Sequence, residues 1–359
     1  RHLYPRQWRP SFMAASFDLT LLGFETWGND PVGQVSYTAA AQINTTTLDG
    51  YGTLAISVDR WYPTISLFGG FYQSSIWARA NDEYQDYREQ DVYGSLALTF
   101  PFRHPDYTFS LATGYAFEHF TGEITEPWEF DPGSAEPYFP LQGNLGSAWT
   151  SLSLDTTESY GYSVSTERGW AAATELRLSS PLLGSNWTEY QVKWRLAKYT
   201  PLRFLDHHVL KTQIRGGWAG GRDTFLRRFS VGGYPDQDLF ADLLEGVGIG
   251  GNFLRGYPPG VIRGSQYHYA SADYFFPIWH IRRGWQTFPI FLKDLYVNIF
   301  GASAGAFDTF ALEDFRSSAG AELRLKILLS HNLPFTLIIG AAYGFQEEGD
   351  FQTYFLLGQ

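Results

Sequence analysis

The chain has 359 residues and no cysteine. Disulfides, thiolate metal sites and cysteine nucleophiles are therefore excluded. Long apolar runs are also missing. A membrane-spanning helix needs ~18 to 20 apolar residues in succession. The best stretch here, Leu333 to Phe345, is broken by Pro334, Thr336 and Gly340. Charge is sparse, at 18% of residues, and the net charge is -11. That balance argues against nucleic acid as a partner. Enzyme signatures are thin. The eight histidines are scattered over expected turns and strand ends, and His207 and His208 cannot both face one side of a strand, so no metal site is expected. Acidic pairs such as Asp82-Glu83 and Glu347-Glu348 read as solvated loop tips, and no Ser-His-Asp set has a supporting context. The glycine-rich run 246–251 opens no helix and follows no parallel strand, so it is not read as a phosphate loop. Neither a cofactor nor a catalytic residue is expected. The chain opens at Arg1 rather than Met, which is read as a processed or truncated piece with room for an upstream domain.

Aromatic residues, in contrast, are abundant. They make up 18% of the chain, with 12 Trp, 23 Tyr and 29 Phe, yet the mean hydropathy is only -0.22. Such a balance suits elements with one apolar and one polar face. Period-two alternation is the dominant pattern. Leu54, Ile56 and Val58 alternate with Ala55 and Ser57; Tyr190, Val192, Trp194 and Leu196 alternate with Gln191, Lys193 and Arg195; Leu323, Leu325 and Ile327 alternate with Glu322, Arg324 and Lys326. A soluble barrel buries the apolar face, whereas a membrane barrel turns it to lipid and fills its lumen with the polar one. Aromatics at expected strand ends (Tyr107, Phe117, Trp187, Trp218) resemble interfacial girdles and favour the membrane arrangement.

Sixteen strands are predicted, near 7–15, 18–27, 33–45, 50–61, 64–79, 86–101, 106–121, 146–157, 169–180, 186–198, 207–218, 265–277, 291–305, 317–328, 333–345 and 351–359. An even count fits an antiparallel transmembrane β-barrel formed by one domain across residues 1–359. Connections on one side are mostly short, with Pro31, Pro63, Pro105 and Pro201. The two longest, near 121–145 and 219–264, fall on the other side. The first set suits a periplasmic rim and the second an extracellular one. Residues 158–168 and 278–290 are long for the periplasmic rim.

Within the longest loop stands Gly250-Gly251-Asn252-Phe253-Leu254-Arg255-Gly256-Tyr257. Taken alone, Arg-Gly-Tyr also suits an ordinary turn. Its position between the eleventh and twelfth strands makes it the sixth long-side loop, and an inserted guanidinium there would need a carboxylate partner. Asp273, in the twelfth strand, shares a face with Tyr269 and Ser271 and is read as pointing inward. Gly256 would let the backbone pass close to the wall, and Tyr257 would add packing area with a polar tip.

These residues resemble the outer-membrane insertase and two-partner-secretion translocator superfamily of BamA-like barrels. The resemblance rests on Leu254-Arg255-Gly256-Tyr257, the sixteen-strand count and Ala272-Asp273-Tyr274-Phe275-Phe276-Pro277. It implies a sixth extracellular loop folded into the lumen through Arg255, with Asp273 and Phe300 as inward partners. It also implies a further inward Asp on the thirteenth strand, and this chain has Ala302 there. Residues 4–10, Asn29 to Gly33, Arg60 to Pro63 and Ser163 to Gly169 are similar to barrels that follow a periplasmic TolB-like propeller.

The resemblance further implies a lateral seam between the first and last strands. Pro10 and Gly358 would loosen it, although Pro10 also suits the plain start of a strand. The expected function is assembly or translocation of polypeptide or lipid through the lumen or that seam. Alternatives are a passive or gated diffusion pore, or a membrane anchor for a periplasmic propeller or partner domain. Expected partners are outer-membrane lipid and lipopolysaccharide, a periplasmic domain or accessory proteins, and an unfolded polypeptide client.

Overall fold

The computed structural model describes residues 7–14, 20–45, 47–80, 83–124, 142–202, 205–223, 229–233, 254–258, 260–284, 288–329 and 333–358. The strands are β1 (Gln7–Ala14), β2 (Thr20–Asn29), β3 (Val35–Asn44), β4 (Gly50–Val58), β5 (Thr64–Ala80), β6 (Glu83–His104), β7 (Tyr107–Ile124), β8 (Gly143–Asp155), β9 (Gly169–Ser179), β10 (Glu189–Pro201), β11 (Val209–Gly221), β12 (Phe229–Val231), β13 (Ile262–Gly264), β14 (Gln266–Gly284), β15 (Ile290–Phe307), β16 (Arg316–Leu329), β17 (Leu333–Gly344) and β18 (Phe351–Gly358). Sixteen of them form one antiparallel sheet in sequence order, running from β1 to β11 and on from β14 to β18. The short pair β12–β13 forms a separate ladder inside the longest loop. This is the all-β, sixteen-stranded architecture that the alternation predicts. Among the described residues the pairing runs from β1 to β18, and no ladder joins those two edges.

The two faces of the sheet are inverted relative to a water-soluble protein. On β10 the apolar Tyr190 is exposed, while its neighbours Glu189 and Gln191 are buried. On β6, Val92 and Leu96 are exposed and Glu89 and Asp91 are buried. On β11, Ile214 and Trp218 are exposed and Gln213 is buried. Strand side chains alternate between faces, so each strand turns an apolar row outward and a polar row inward. A lipid-facing exterior satisfies that pattern, because the backbone donors are already used in the ladder.

Aromatic residues gather toward the strand ends. Tyr62 packs edge-on against Phe100 and Phe102, Phe102 meets Phe109, and His104 stacks on Tyr107. Trp218 is exposed near the end of β11, and Trp187 meets Phe120 at the same rim. Phe117 departs from the expectation. It lies well inside β7, paired with Gly94 on one side and Gly146 on the other.

The edge strands hold the two predicted seam residues. Pro10 sits within β1 opposite Phe24, and Gly358 ends β18 opposite Thr336. Pro10 has no N–H, so β1 has one ladder donor fewer.

Candidate functional site: a clasp inside the barrel

The longest loop turns back against the inward faces of β14–β18. Its footing is apolar. Phe229 and Val231 of β12 and Leu254 and Tyr257 of the loop form one buried cluster with Ala219, Tyr267, Tyr269, Ala302, Ala304 and Ala306. Alternate positions 302, 304 and 306 of β15 are all alanine, so the wall leaves space for the loop. Ala302 therefore has a packing role at the position where the resemblance implied a carboxylate. Tyr269 belongs to this apolar footing, and Arg215 lies over its ring at 5.7 Å.

Backbone contacts fix the motif. Leu254 N–H donates to the Gly232 carbonyl at 2.5 Å, and Gly233 N–H donates to Pro258 at 3.0 Å. Asp350 N–H donates to the Gly256 carbonyl at 3.0 Å. Gly256 has φ +91°, and a Cβ there would lie 2.7 Å from the Gly344 nitrogen. Only glycine accommodates both that conformation and that approach. Tyr257 is fully buried; its hydroxyl donates to the Ser317 carbonyl (3.0 Å) or to Gln346 Oε1 (2.8 Å) and accepts from Gln346 N–H (3.1 Å).

Arg255 projects from this footing into a buried polar cluster. Its Nη1 donates to Glu322 Oε1 on β16. Its Nη2 lies 3.3 Å from Asp273 Oδ1 on β14. The guanidinium stacks on Phe300 of β15, 3.4 Å from the ring centroid. Asn298 bridges the two carboxylates, donating to Asp273 Oδ1 at 3.2 Å and to Glu322 Oε2 at 3.1 Å. Ser271 adds a bond to Asp273 at 3.1 Å. Glu322 also receives Tyr354 Oη at 2.7 Å and both Nε and Nη2 of Arg324.

Two guanidinium groups thus face two carboxylates, and the cluster is close to neutral. That balance is what makes a buried ionic group tolerable. Glu322 is the hub: five hydrogen bonds converge on it, from Arg255, Tyr354, Asn298 and twice from Arg324. A carboxylate offers roughly four lone-pair sites, so Glu322 is saturated.

Asp273 and Phe300 both touch Arg255, and Leu254, Gly256 and Tyr257 seat the loop. Gly250 and Gly251 lie outside the described residues. Pro10 and Gly358 take no part in the cluster. Sequence reasoning missed Glu322, Asn298, Arg324 and Tyr354. A signal was available for two of them: Glu322 and Arg324 occupy the polar row of a predicted strand. Among the described residues no group of three or more His, Asp or Glu could hold a metal ion.

A sheet of this kind, apolar outside and clasped inside by its own loop, defines an outer-membrane β-barrel with an inserted loop. Residues 36–356 match the Omp85 superfamily domain, and the chain belongs to that superfamily. No curated protein matches the chain. Among solved structures, BamA from Haemophilus ducreyi lacking POTRA domains 1-3 superposes with a TM-score of 0.60 at 13% identity, covering 99% of this chain and 75% of that one. CdiB from Acinetobacter baumannii superposes with a TM-score of 0.55 at 11% identity, covering 95% of this chain and 57% of that one.

Proposed function

We propose that this outer-membrane barrel moves unfolded polypeptide into or across the membrane, and that the Arg255 clasp holds its lumen closed at rest. The clasp is the observation that carries this reading. A loop inserted into a barrel and fastened by a buried, neutralised ion cluster does not suit an open diffusion channel. Burying four charged groups is costly, and their removal one at a time leaves partners unpaired. An arrangement of that kind suits a lumen that stays shut until a partner or client shifts the loop.

Superfamily membership supports the same reading, as does the similarity to BamA and CdiB barrels. Client strands are proposed to enter at the edges of β1 and β18, where Pro10 removes one donor. Outer-membrane lipid and lipopolysaccharide would contact the apolar exterior. A periplasmic domain, such as a TolB-like propeller, or accessory proteins would meet the short turns.

The test uses a urea-unfolded outer-membrane barrel protein as probe. Proteoliposomes containing this chain should speed its folding into the membrane. Cysteine pairs along β1 and β18, oxidised to lock the edges, should abolish the gain. Equal folding with and without the protein, together with a large steady conductance of the intact barrel, would establish a passive pore instead. Equal folding with no conductance in any form would leave the anchor role.

A further inference from the structure

Residues 156–168, between β8 and β9, stand out at the short-turn rim. Other connections there, at 30–34, 59–63 and 105–106, are tight. This turn is longer, and it is built rather than loose. Its base is closed by the Glu158–Arg168 bridge, with Arg168 Nε 2.8 Å from Glu158 Oε2. Inside it, Ser163 Oγ accepts from Tyr160 N–H at 2.7 Å and donates to Glu167 at 2.8 Å.

Its tip reaches past β10 and β11 to β14 and β15. Val164 is buried against Phe275 of β14 and Tyr296 of β15. The guanidinium of Arg282 lies over the Tyr162 ring at 3.8 Å and donates to the Gly161 carbonyl at 2.6 Å. Tyr162 also packs on His207 (6.2 Å) and His280 (5.8 Å). Behind them, Asp294 is fully buried and holds His280 Nδ1 at 2.7 Å, while Glu167 holds His207 Nδ1 at 2.5 Å. His207 and Arg282 both have positive φ, at 61° and 44°. Such backbone persists where surrounding contacts over-determine it.

β10 and β11 separate β9 from β14 in the sheet. The turn therefore leaves its own hairpin, passes the β10–β11 turn at His207 and ends against the inner face of β14 and β15. Phe275 and Tyr296 lie two residues from Asp273 and Asn298 on the same inner face, so Val164 sits beneath the Arg255 clasp. Arg324 joins the two levels: it bonds Glu322 above and lies 5.5 Å from the Phe275 ring centroid below.

We propose that turn 156–168 is a second gate, at the periplasmic mouth, which must undock before anything passes the lumen. This inference rests on the transport reading above. In planar bilayers, the barrel with residues 224–261, the Arg255 clasp included, replaced by a short Gly-Ser linker should conduct weakly and flicker. Replacing residues 159–166 as well should give a steady conductance several-fold larger. Combining the loop replacement with Tyr162→Ala and Arg282→Ala should move the current the same way. Heat-modifiable gel migration checks that each variant is folded. Full conductance after loop replacement alone would overturn the second gate and leave transport standing. A folded double replacement that carries no current would overturn the transport reading itself. Cysteine labelling gives an independent readout, since the chain has no cysteine of its own. Tyr296→Cys should resist a maleimide in the otherwise intact barrel and react when Tyr162→Ala and Arg282→Ala are added. Equal reaction in both would show that the turn does not cover the lumen.

Discussion

Glu322 and Arg255 are 67 residues apart in sequence and meet inside the barrel, where Glu322 Oε1 accepts from Arg255 Nη1. Asp273 takes the other side of the guanidinium at the longer distance of 3.3 Å. The two carboxylates therefore differ in weight. Glu322→Ala should cost about 3–5 kcal/mol, the usual penalty for stranding buried partners, because it frees both Arg255 and Arg324. Asp273→Ala should cost less, since Arg255 keeps Glu322 and Phe300. Denaturant unfolding in micelles, followed by gel migration, measures both.

Gly256→Ala should unseat the loop without touching the ion cluster. The new Cβ would lie 2.7 Å from the Gly344 nitrogen and 2.8 Å from the Tyr343 carbonyl carbon, in a backbone with φ +91°. Protease nicking at residues 229–233 and 254–258 should rise clearly above that of the parent. Unchanged protection would show that the close approach is not required.

Ala302→Asp is the substitution the family resemblance invites. It should destabilise the barrel by about 1–3 kcal/mol or more, because a carboxylate there enters a cluster of Leu254, Tyr257 and Ala304. A gain in thermal stability would contradict the packing role given to this position.

The Glu158–Arg168 bridge predicts a pH response of turn 156–168. Hydrogen bonds from Arg168 and then Tyr160 hold the Glu158 carboxyl below its ordinary value of 4.5. A depressed carboxylate contributes stability above its unfolded pKa, and loses it as pH falls through the folded one. Docking of the turn should thus be insensitive to this group at neutral pH and weaken only below the ordinary Glu range. Glu158→Gln should remove that acid-range step from the labelling of Tyr296→Cys by 4,4′-dithiodipyridine, a disulfide reagent that reacts with thiols in acid. A step of equal size in the variant would assign it to another group.

The strands were legible because side-chain parity along a strand is local. Tyr190 next to Gln191, or Leu323 next to Glu322, reports its face without reference to any other segment. The same parity puts Asp273 and Phe300 on the inner wall. β12 and β13 were not legible, since three-residue strands in a Gly- and Pro-rich loop are too short to alternate. Glu322 shows the other limit. Its inward face could be read from its neighbours, but its meeting with Arg255 depends on sheet curvature and on how deep the loop descends. Both are set by distant packing, including the small side chains at 302, 304 and 306. Residues 158–168 announced themselves only by length; nothing local says that Val164 reaches Phe275.

The central claim is that Arg255 of the inserted loop is fastened to Glu322 on the inner wall of the barrel, and a double-mutant cycle tests it most directly. Unfolding free energies of the parent, Arg255→Ala, Glu322→Ala and the double variant give the coupling between them. Contacting buried groups show interaction energies of about 0.5–3 kcal/mol, and this pair should fall in the upper half of that range. Simple additivity of the two single losses would contradict the clasp.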